Sequence, residues 1–159
     1  QIAFGPGRII WDKCNDGGDQ SNAEIAYNSM TDRVDMIRYM WRGMMQGKSI
    51  QEGTIQQGNK ALNEKRIHPT QKPVALYKWT IQKFAKLGDK ILDTHMGSQS
   101  SRIAAWEMGF DYWGWENDVD HFKDGCDRFD PIRRMVSMFD PKDIYQKPEI
   151  KEQPKLFDL

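Results

Sequence analysis

The sequence predicts an α/β domain that contains a parallel sheet. Between residues 73 and 129, segments typical of helices and strands alternate in the order helix, strand, turn, helix, strand, helix. Strands that alternate with helices along a chain pair in parallel through right-handed crossovers. The length of 159 residues, of which 38% are hydrophobic, fits one globular domain or one piece of a larger protein.

The first part of the chain has weaker patterns. Residues 8–11 and 24–28 are short apolar runs, separated by a loop rich in Asn, Asp, Gly and Ser, and they predict a hairpin-like pair of strands. Residues 33–45 fit neither the strand nor the helix template. Residues 46–64 are rich in Gln, Gly and Asn, which predicts a mobile surface loop.

The second part has start and stop signals for each element. The predicted elements are a helix at 73–88, a fully buried strand at 90–94, a helix at 102–108, a strand at 111–116 and a helix at 118–129. Pro73 suits the first turn of a helix, whereas Gly88 and Gly109 suit positions just after one. From Pro141 onward, the rising charge and proline content predict an extended tail, which we place at residues 146–159.

The composition excludes several classes of protein. No apolar run approaches 18 residues, so no membrane span is expected. Cys14 and Cys126 have no metal-ligand spacing, which argues against zinc and for a reduced, cytoplasmic compartment. The formal net charge is zero, but residues 60–90 carry eight basic and two acidic side chains. This basic segment is either an anion-binding face or a solvated helix face.

The clearest functional signal lies where the predicted strand 90–94 ends. Asp93 is followed by the small-residue turn 97–101, which leads into the next helix. Small residues let a ligand approach the backbone, and a helix N-terminus offers free N–H groups to an anion, although such turns are also common as pure structure. Glu116 ends the next strand, 19 residues after Gly97, where doubly wound folds bind ribose hydroxyls. The alternative is that Glu116 caps the third helix.

Two stretches that carry these features resemble a known family. Residues 66–76 (Arg-Ile-His-Pro-Thr-Gln-Lys-Pro-Val-Ala-Leu) and residues 88–98 are similar to the amino-group DNA methyltransferases of the permuted β class. In that family, a His-Pro-x-Gln-Lys-Pro stretch precedes an Asp-x-x-x-Gly-Ser-x-Ser loop. The similarity covers roughly residues 8–130. It implies a partial Rossmann-like, S-adenosylmethionine-dependent methyltransferase fold that methylates an amino group of adenine or cytosine in double-stranded DNA.

The resemblance implies roles for particular residues. The loop around the methionine part of S-adenosylmethionine would comprise Asp93, Thr94, Gly97, Ser98 and Ser100. Glu116 would bind the ribose hydroxyls and Asn117 would lie beside the adenine. The residues closing the pocket over the amino-acid end would be Thr70, Gln71, Lys72 and Pro73, with Lys72 suited to the carboxylate.

Three further residues leave alternatives open or carry a default expectation. His95 either lines the pocket or is a hydrogen-bonded structural histidine. Gln99 departs from the glycine common in the family, so its side chain either narrows the pocket or points outward if its backbone does not need a positive φ. Trp113 is expected in the core, as aromatic residues on strands usually are.

The catalytic motif of the family does not occur in these 159 residues. It consists of Asp or Asn, two prolines and an aromatic residue, and none of the seven prolines here is adjacent to another. The family places this motif N-terminal to the part that this chain resembles. The resemblance therefore implies that strands three, four and five of the methyltransferase sheet are missing, that no catalytic residue lies in this chain, and that the chain alone is inactive. Gln1, which is not Met, indicates that the chain is cut from something longer, and a missing N-terminal segment or a second chain would complete the sheet.

These expectations give a domain organisation. Residues 1–145 would form the incomplete methyltransferase domain, with residues 66–130 as its cofactor-binding half. Residues 46–64 would be a target-recognition loop, whose Gln and Asn side chains suit adenine edges, or a disordered polar loop. Residues 153–157 resemble the peptide that docks on bacterial sliding clamps, or are a plain disordered terminus. The expected setting is a bacterial or phage-infected cell, and the alternative function is a non-catalytic DNA-binding or partner subunit.

Overall fold

The computed structural model describes residues 5–16, 18, 21–42, 45–47 and 63–135. Within these residues lie seven strands and three helices: β1 (Arg8–Asp12), β2 (Ala23–Tyr27), β3 (Val34–Arg38), β4 (Met40–Arg42), β5 (Met45–Gly47), α1 (Val74–Phe84), β6 (Lys90–Asp93), α2 (Ser100–Glu107), β7 (Asp111–Gly114) and α3 (Val119–Arg134). Most of the predicted target-recognition loop, namely residues 48–62, and the clamp-like peptide lie outside the described residues. Those two expectations stay predictions.

The N-terminal strands form a sheet in the order β2-β1-β3. β1 runs antiparallel to β2, which confirms the predicted hairpin-like pair, and parallel to β3. The segment at residues 33–45, which fitted neither template, contains β3, β4 and the first residue of β5, and β4 pairs with β5 in a separate two-stranded sheet. Gln46 and Gly47 were expected to begin a mobile loop, but they belong to β5 and Gln46 is buried. Adjacent Met40 and Trp41 are both buried, which a simple alternating strand pattern does not show.

The second part contains the predicted parallel pair. β6 and β7 run parallel with α2 as the crossover between them, and Leu92 lies opposite Trp113. On one face of this pair, Ile91 and Tyr112 pack against a core formed by Ile81, Ala104, Ala105 and Met108 of α1, α2 and the turn after α2. The mixed α/β class is confirmed, since small sheets and three helices are present.

Two expectations about burial are wrong. The strand at 90–94 was expected to be fully buried, but Leu92 is 61% exposed. Trp113, expected in the core, is 48% exposed. Both residues lie on the face of the β6–β7 pair opposite Ile91 and Tyr112, and the helices of the described chain pack on only one face.

Helix ends also differ from the predicted bounds. α1 ends at Phe84 rather than near Gly88, because residues 86–89 form a turn in which Asp89 Oδ2 accepts a hydrogen bond from Lys86 N. α3 continues past Phe129 to Arg134, through Pro131. None of the helices in the described ranges has the length and apolar content needed to cross a bilayer.

Candidate functional site

The carboxyl ends of β6 and β7 meet at one edge of the parallel pair, where ligands bind in open α/β sheets. Backbone hydrogen bonds also join the segments that follow the two strands. Trp115 N donates to Asp93 O at 3.0 Å, and Met96 N donates to Trp115 O at 2.9 Å. Asp93 and Glu116 are therefore held beside the same turn, as the sequence predicted.

Asp93 shapes that turn through both of its carboxylate oxygens. Oδ1 accepts a hydrogen bond from His95 N at 2.9 Å, and Oδ2 accepts one from Ser101 Oγ at 2.5 Å. The Ser101 hydroxyl also lies 2.9 Å from the hydroxyl of Tyr112. Burial, aided by the charge of Asp93, raises the pKa of Tyr112 above its ordinary value, so this hydroxyl stays protonated.

Glu116 is fixed by backbone N–H groups on both oxygens. Oε2 accepts from Gly97 N at 2.7 Å, and Oε1 accepts from Asp118 N at 3.1 Å. The N–H groups of Asp118 and Gly97 hold the pKa of Glu116 below its ordinary value, so its carboxylate stays ionised. Glu116 is not the N-cap residue of α3, because the Asp118 side chain caps this helix by accepting from the backbone N of Asp120 and His121. Glu116 bonds the N–H of that capping residue.

Gln99 follows neither of the two alternatives. Its backbone adopts a positive φ of 59°, and its side chain is fully buried between α2 and α3. Nε2 donates to Phe122 O at 3.1 Å, and Oε1 accepts from Arg102 at 2.8 Å. Gly125 makes room for it, because a Cβ there would lie 2.6 Å from Gln99 Cγ. The departure from the family's glycine thus forms part of the packing between the two helices.

The His-Pro stretch reaches this turn through His68, which the sequence analysis did not single out. A Cβ on Gly97 would lie 3.7 Å from the His68 ring, and the ring lies 4.2 Å from that of His121, centroid to centroid. Thr70 orients the His68 ring, because its backbone N donates to Nδ1 at 3.2 Å. The position of His68 inside the family-like stretch is a signal that could have marked it, whereas His121 had no comparable signal.

The other residues of this stretch hold it in place. Gln71 is buried, and its side-chain amide bonds the backbone of Ile67 and Lys65. Pro73 is fully buried at the start of α1. Lys72 Nζ lies 3.3 Å from Glu24 on β2. Burial acts to raise the pKa of Glu24, but Lys13 and Lys72 outweigh it and hold the pKa below its ordinary value.

The remaining predicted residues follow the strand ends. Thr94, His95 and Asn117 are exposed, with Thr94 Oγ1 2.9 Å from His95 Nδ1. Ser98 and Ser100 are buried, with their hydroxyl oxygens 3.1 Å apart. Within the described residues, His, Cys, Asp and Glu side chains nowhere gather in a group of three that could hold a metal ion.

A groove of about 400 Å³ lies away from the strand ends, against the three helices. Its lining consists of Glu64, Val74, Ala75, Lys78, Ile103, Glu107, Arg128 and Ile132. None of the predicted cofactor residues belongs to this lining. Within this lining, Arg128 also bonds Ser98 and Ser100 of the turn.

Carboxylates at the ends of neighbouring parallel strands, with a glycine turn between them, are typical of α/β proteins that bind nucleoside-containing cofactors. The family model for DNA methylases of the N6/N4 amino type matches residues 10–125, which is most of the chain. The chain belongs to this family of DNA methyltransferases. A comparison with curated proteins finds no match. The amino-group DNA methyltransferase family expected from the sequence is thereby confirmed.

Proposed function

We propose that this chain is the S-adenosylmethionine-binding part of a permuted, β-class enzyme that methylates an amino nitrogen of adenine or cytosine in double-stranded DNA. The observation that carries the proposal is the placement of Glu116. Its carboxylate stands at the end of β7, is held by two backbone N–H groups and faces the same turn as Asp93.

The chemistry of Glu116 fits a ribose. Each of its oxygens accepts one backbone hydrogen bond, and a carboxylate has about four lone-pair sites, so acceptor capacity is left for two neighbouring hydroxyls. Trp115 beside it is exposed and offers an apolar face to an adenine, with Asn117 next in the chain. When bound, S-adenosylmethionine supplies an activated methyl group on its sulfonium sulfur.

The opposite end of the site fits the methionine part. In the proposal, Asp93, Thr94, His95, Gly97, Ser98 and Ser100 surround it, and the 70–73 segment closes over it. Lys72 would take the carboxylate. Glu24 would keep an ion-pair partner if Lys72 turned to the cofactor, because Lys13 lies closer to it, at 2.6 Å.

The residues that act on the target amino group are, in this proposal, supplied from elsewhere. An Asp-Pro-Pro-aromatic motif accepts hydrogen bonds from the amino group and stacks on the flipped base, and the 159 residues contain no pair of adjacent prolines. In the described chain β2 pairs only with β1, and β6 only with β7. Ile25 on β2 and Leu92 on β6 are both largely exposed. Unpaired edges with exposed apolar side chains support a further segment or a second chain that completes the sheet.

Contact with DNA is proposed for the segment around residues 46–64 and the basic residues after it. Lys65 is exposed and available to a phosphate. Arg66 has a packing role as well, because its guanidinium stacks on the Trp41 ring at 4.8 Å and donates to Trp41 O at 2.9 Å.

Calorimetric titration of the purified chain with S-adenosylmethionine tests the proposal. Saturable binding is expected for the natural sequence, and no DNA methylation is expected until a polypeptide with the catalytic motif is added. Absence of binding at millimolar cofactor, together with retained binding to DNA, would instead favour a non-catalytic partner subunit.

A further inference from the structure

Arg128 on α3 joins two segments that are distant in sequence. Its Nη1 donates to Ser98 O at 2.7 Å and to Ser100 Oγ at 2.9 Å, and its Nη2 donates to Glu64 Oε2 at 2.8 Å. The side chain is 12% exposed. A planar guanidinium with a fixed fork of donors holds such partners at defined angles, which a flexible ammonium does not.

Glu64 is itself fixed on two sides. Its carboxylate accepts from Val74 N, the first residue of α1, at 3.0 Å. Its backbone N and O bond the side-chain amide of buried Gln46 on β5, at 2.8 and 3.0 Å. The partner that Arg128 reaches is therefore anchored both to β5 and to the start of α1.

The ion pair is largely removed from water. Burial raises the pKa of Glu64 and lowers the pKa of Arg128, and each charge opposes this by favouring the charged form of the other. Removing one partner leaves the other charge buried without compensation, and the hydrogen bonds to Ser98 and Ser100 are then disturbed as well.

We propose that Arg128 and Glu64 are positioning residues for cofactor binding, which set the turn at residues 97–100 and couple it to β5 and α1. The inference rests on the proposed function, in which this turn surrounds the methionine part of S-adenosylmethionine. Arg128 holds the Ser98 carbonyl, and the N–H of the preceding residue, Gly97, bonds Glu116. The peptide between Ser98 and Gln99 is thereby held on both sides, because its N–H, that of Gln99, donates to Met96 O at 2.8 Å. The Met96 carbonyl lies in the same peptide unit as the Gly97 N–H, so these bonds keep that N–H directed at the Glu116 carboxylate.

The test compares three variants by calorimetric titration with S-adenosylmethionine, thermal unfolding and hydrogen exchange of the amides at residues 97–101. Glu64→Gln and Arg128→Lys are expected to weaken cofactor affinity about tenfold or more. Glu107→Gln is the matched control, because Glu107 lines the same groove but pairs with Lys78 at 2.7 Å. It should bind within about twofold of the natural chain.

Arg128→Lys separates positioning from plain stability. It keeps a positive charge opposite Glu64, so the unfolding temperature should stay near that of the natural chain, yet one ammonium does not reproduce the fork that reaches Ser98 and Ser100. Weak cofactor binding by a stable Arg128→Lys chain is therefore the expected signature. If Glu64→Gln fails to fold, this variant still provides the measurement.

The outcomes distinguish the two proposals. If the natural chain binds S-adenosylmethionine and both variants bind within twofold of it, the positioning role is wrong and the proposed function stands. If the natural chain does not bind, the proposed function fails, and hydrogen exchange decides the rest. Faster exchange at residues 97–101 in Glu64→Gln than in Glu107→Gln supports the positioning role, and equal exchange overturns it.

Discussion

Different interactions stabilise the two parts of the described chain. The first part packs around aromatic side chains, with Trp11, Trp41 and Leu76 of α1 forming one core. In the second part, the ends of β6 and β7 are set by charged side chains, namely Asp93, Glu116 and Arg128. Steric fit therefore determines the shape of the first part, and polar contacts determine the geometry of the candidate site. Substitutions in the first part should cost mainly stability, and those at the strand ends should cost mainly cofactor binding.

The largest expected effect is that of Gly7→Ala in the first part. Gly7 is buried, and a Cβ there would lie 1.9 Å from Thr31 O and 2.2 Å from Asn28 O. These are backbone atoms, so relief requires movement of the turn that follows β2. Urea unfolding should show a loss of about 3 kcal/mol or more in the free energy of unfolding.

Gly5→Ala is the matched control for this substitution. The nearest atom to its added Cβ is Asp32 Oδ1 at 3.6 Å, an ordinary contact. Its free energy of unfolding should stay within about 0.5 kcal/mol of the natural chain. Equal losses in the two variants would show that close backbone packing at Gly7 does not determine the stability of the first part.

The next effect concerns binding, and Glu116→Gln is the substitution that tests it. The amide nitrogen of glutamine does not accept a hydrogen bond from Gly97 N or Asp118 N, and the charge is lost. Cofactor affinity should fall by about 1.5–3 kcal/mol in calorimetric titration. Unchanged affinity would remove Glu116 from the cofactor site.

The pH dependence of binding sharpens the same point. Since backbone N–H groups from Asp118 and Gly97 lower the pKa of Glu116 from 4.5, the carboxylate stays charged at and above that pH. The contribution of this carboxylate to cofactor affinity is present above the ordinary pKa of a glutamate and is lost as the pH falls through the lower pKa of Glu116 in the folded chain. Titrations at decreasing pH should show this acid limb in the natural chain and not in Glu116→Gln. If both proteins lost affinity over the same acidic range, the loss would come from ionisable groups other than Glu116.

The parts of the fold that could be predicted from sequence are those with local signals. Pro73 predicted the start of α1, Gly109 with its φ of 72° predicted the end of α2, and the acids at strand ends indicated the candidate site. The contact between Arg128 and Glu64 had no such signal, because charged residues in a helix or loop are usually solvated and their pairing depends on tertiary structure. The short strands within residues 34–47 were missed because adjacent strands serve different sheets.

Gly125→Ala should have an intermediate effect on the second part, where packing and site meet. The added Cβ would lie 2.6 Å from Gln99 Cγ, although alanine favours the helix more than glycine does. We expect a net loss of about 1–2 kcal/mol in urea unfolding. The double variant Gln99→Gly and Gly125→Ala removes the clash but also the hydrogen bonds of Gln99, so its loss should be smaller than the sum of the losses in the two single variants. Additive losses would contradict the proposed clash.

Lys72→Ala is expected to change stability only slightly. Its ion pair with Glu24 is 3.3 Å long, and the two side chains are 36% and 41% exposed, so it should contribute less than about 1 kcal/mol to unfolding. Lys13→Ala is the matched variant, because Lys13 binds the same carboxylate at 2.6 Å and also lies over the Trp11 ring. Lys13→Ala should reduce stability more than cofactor affinity, and Lys72→Ala the reverse, if Lys72 takes the cofactor carboxylate. Unchanged affinity in Lys72→Ala would leave this lysine only its structural role, the ion pair with Glu24 on β2. Binding of the amino-acid end of the cofactor would then depend on the 94–100 turn that Arg128 holds.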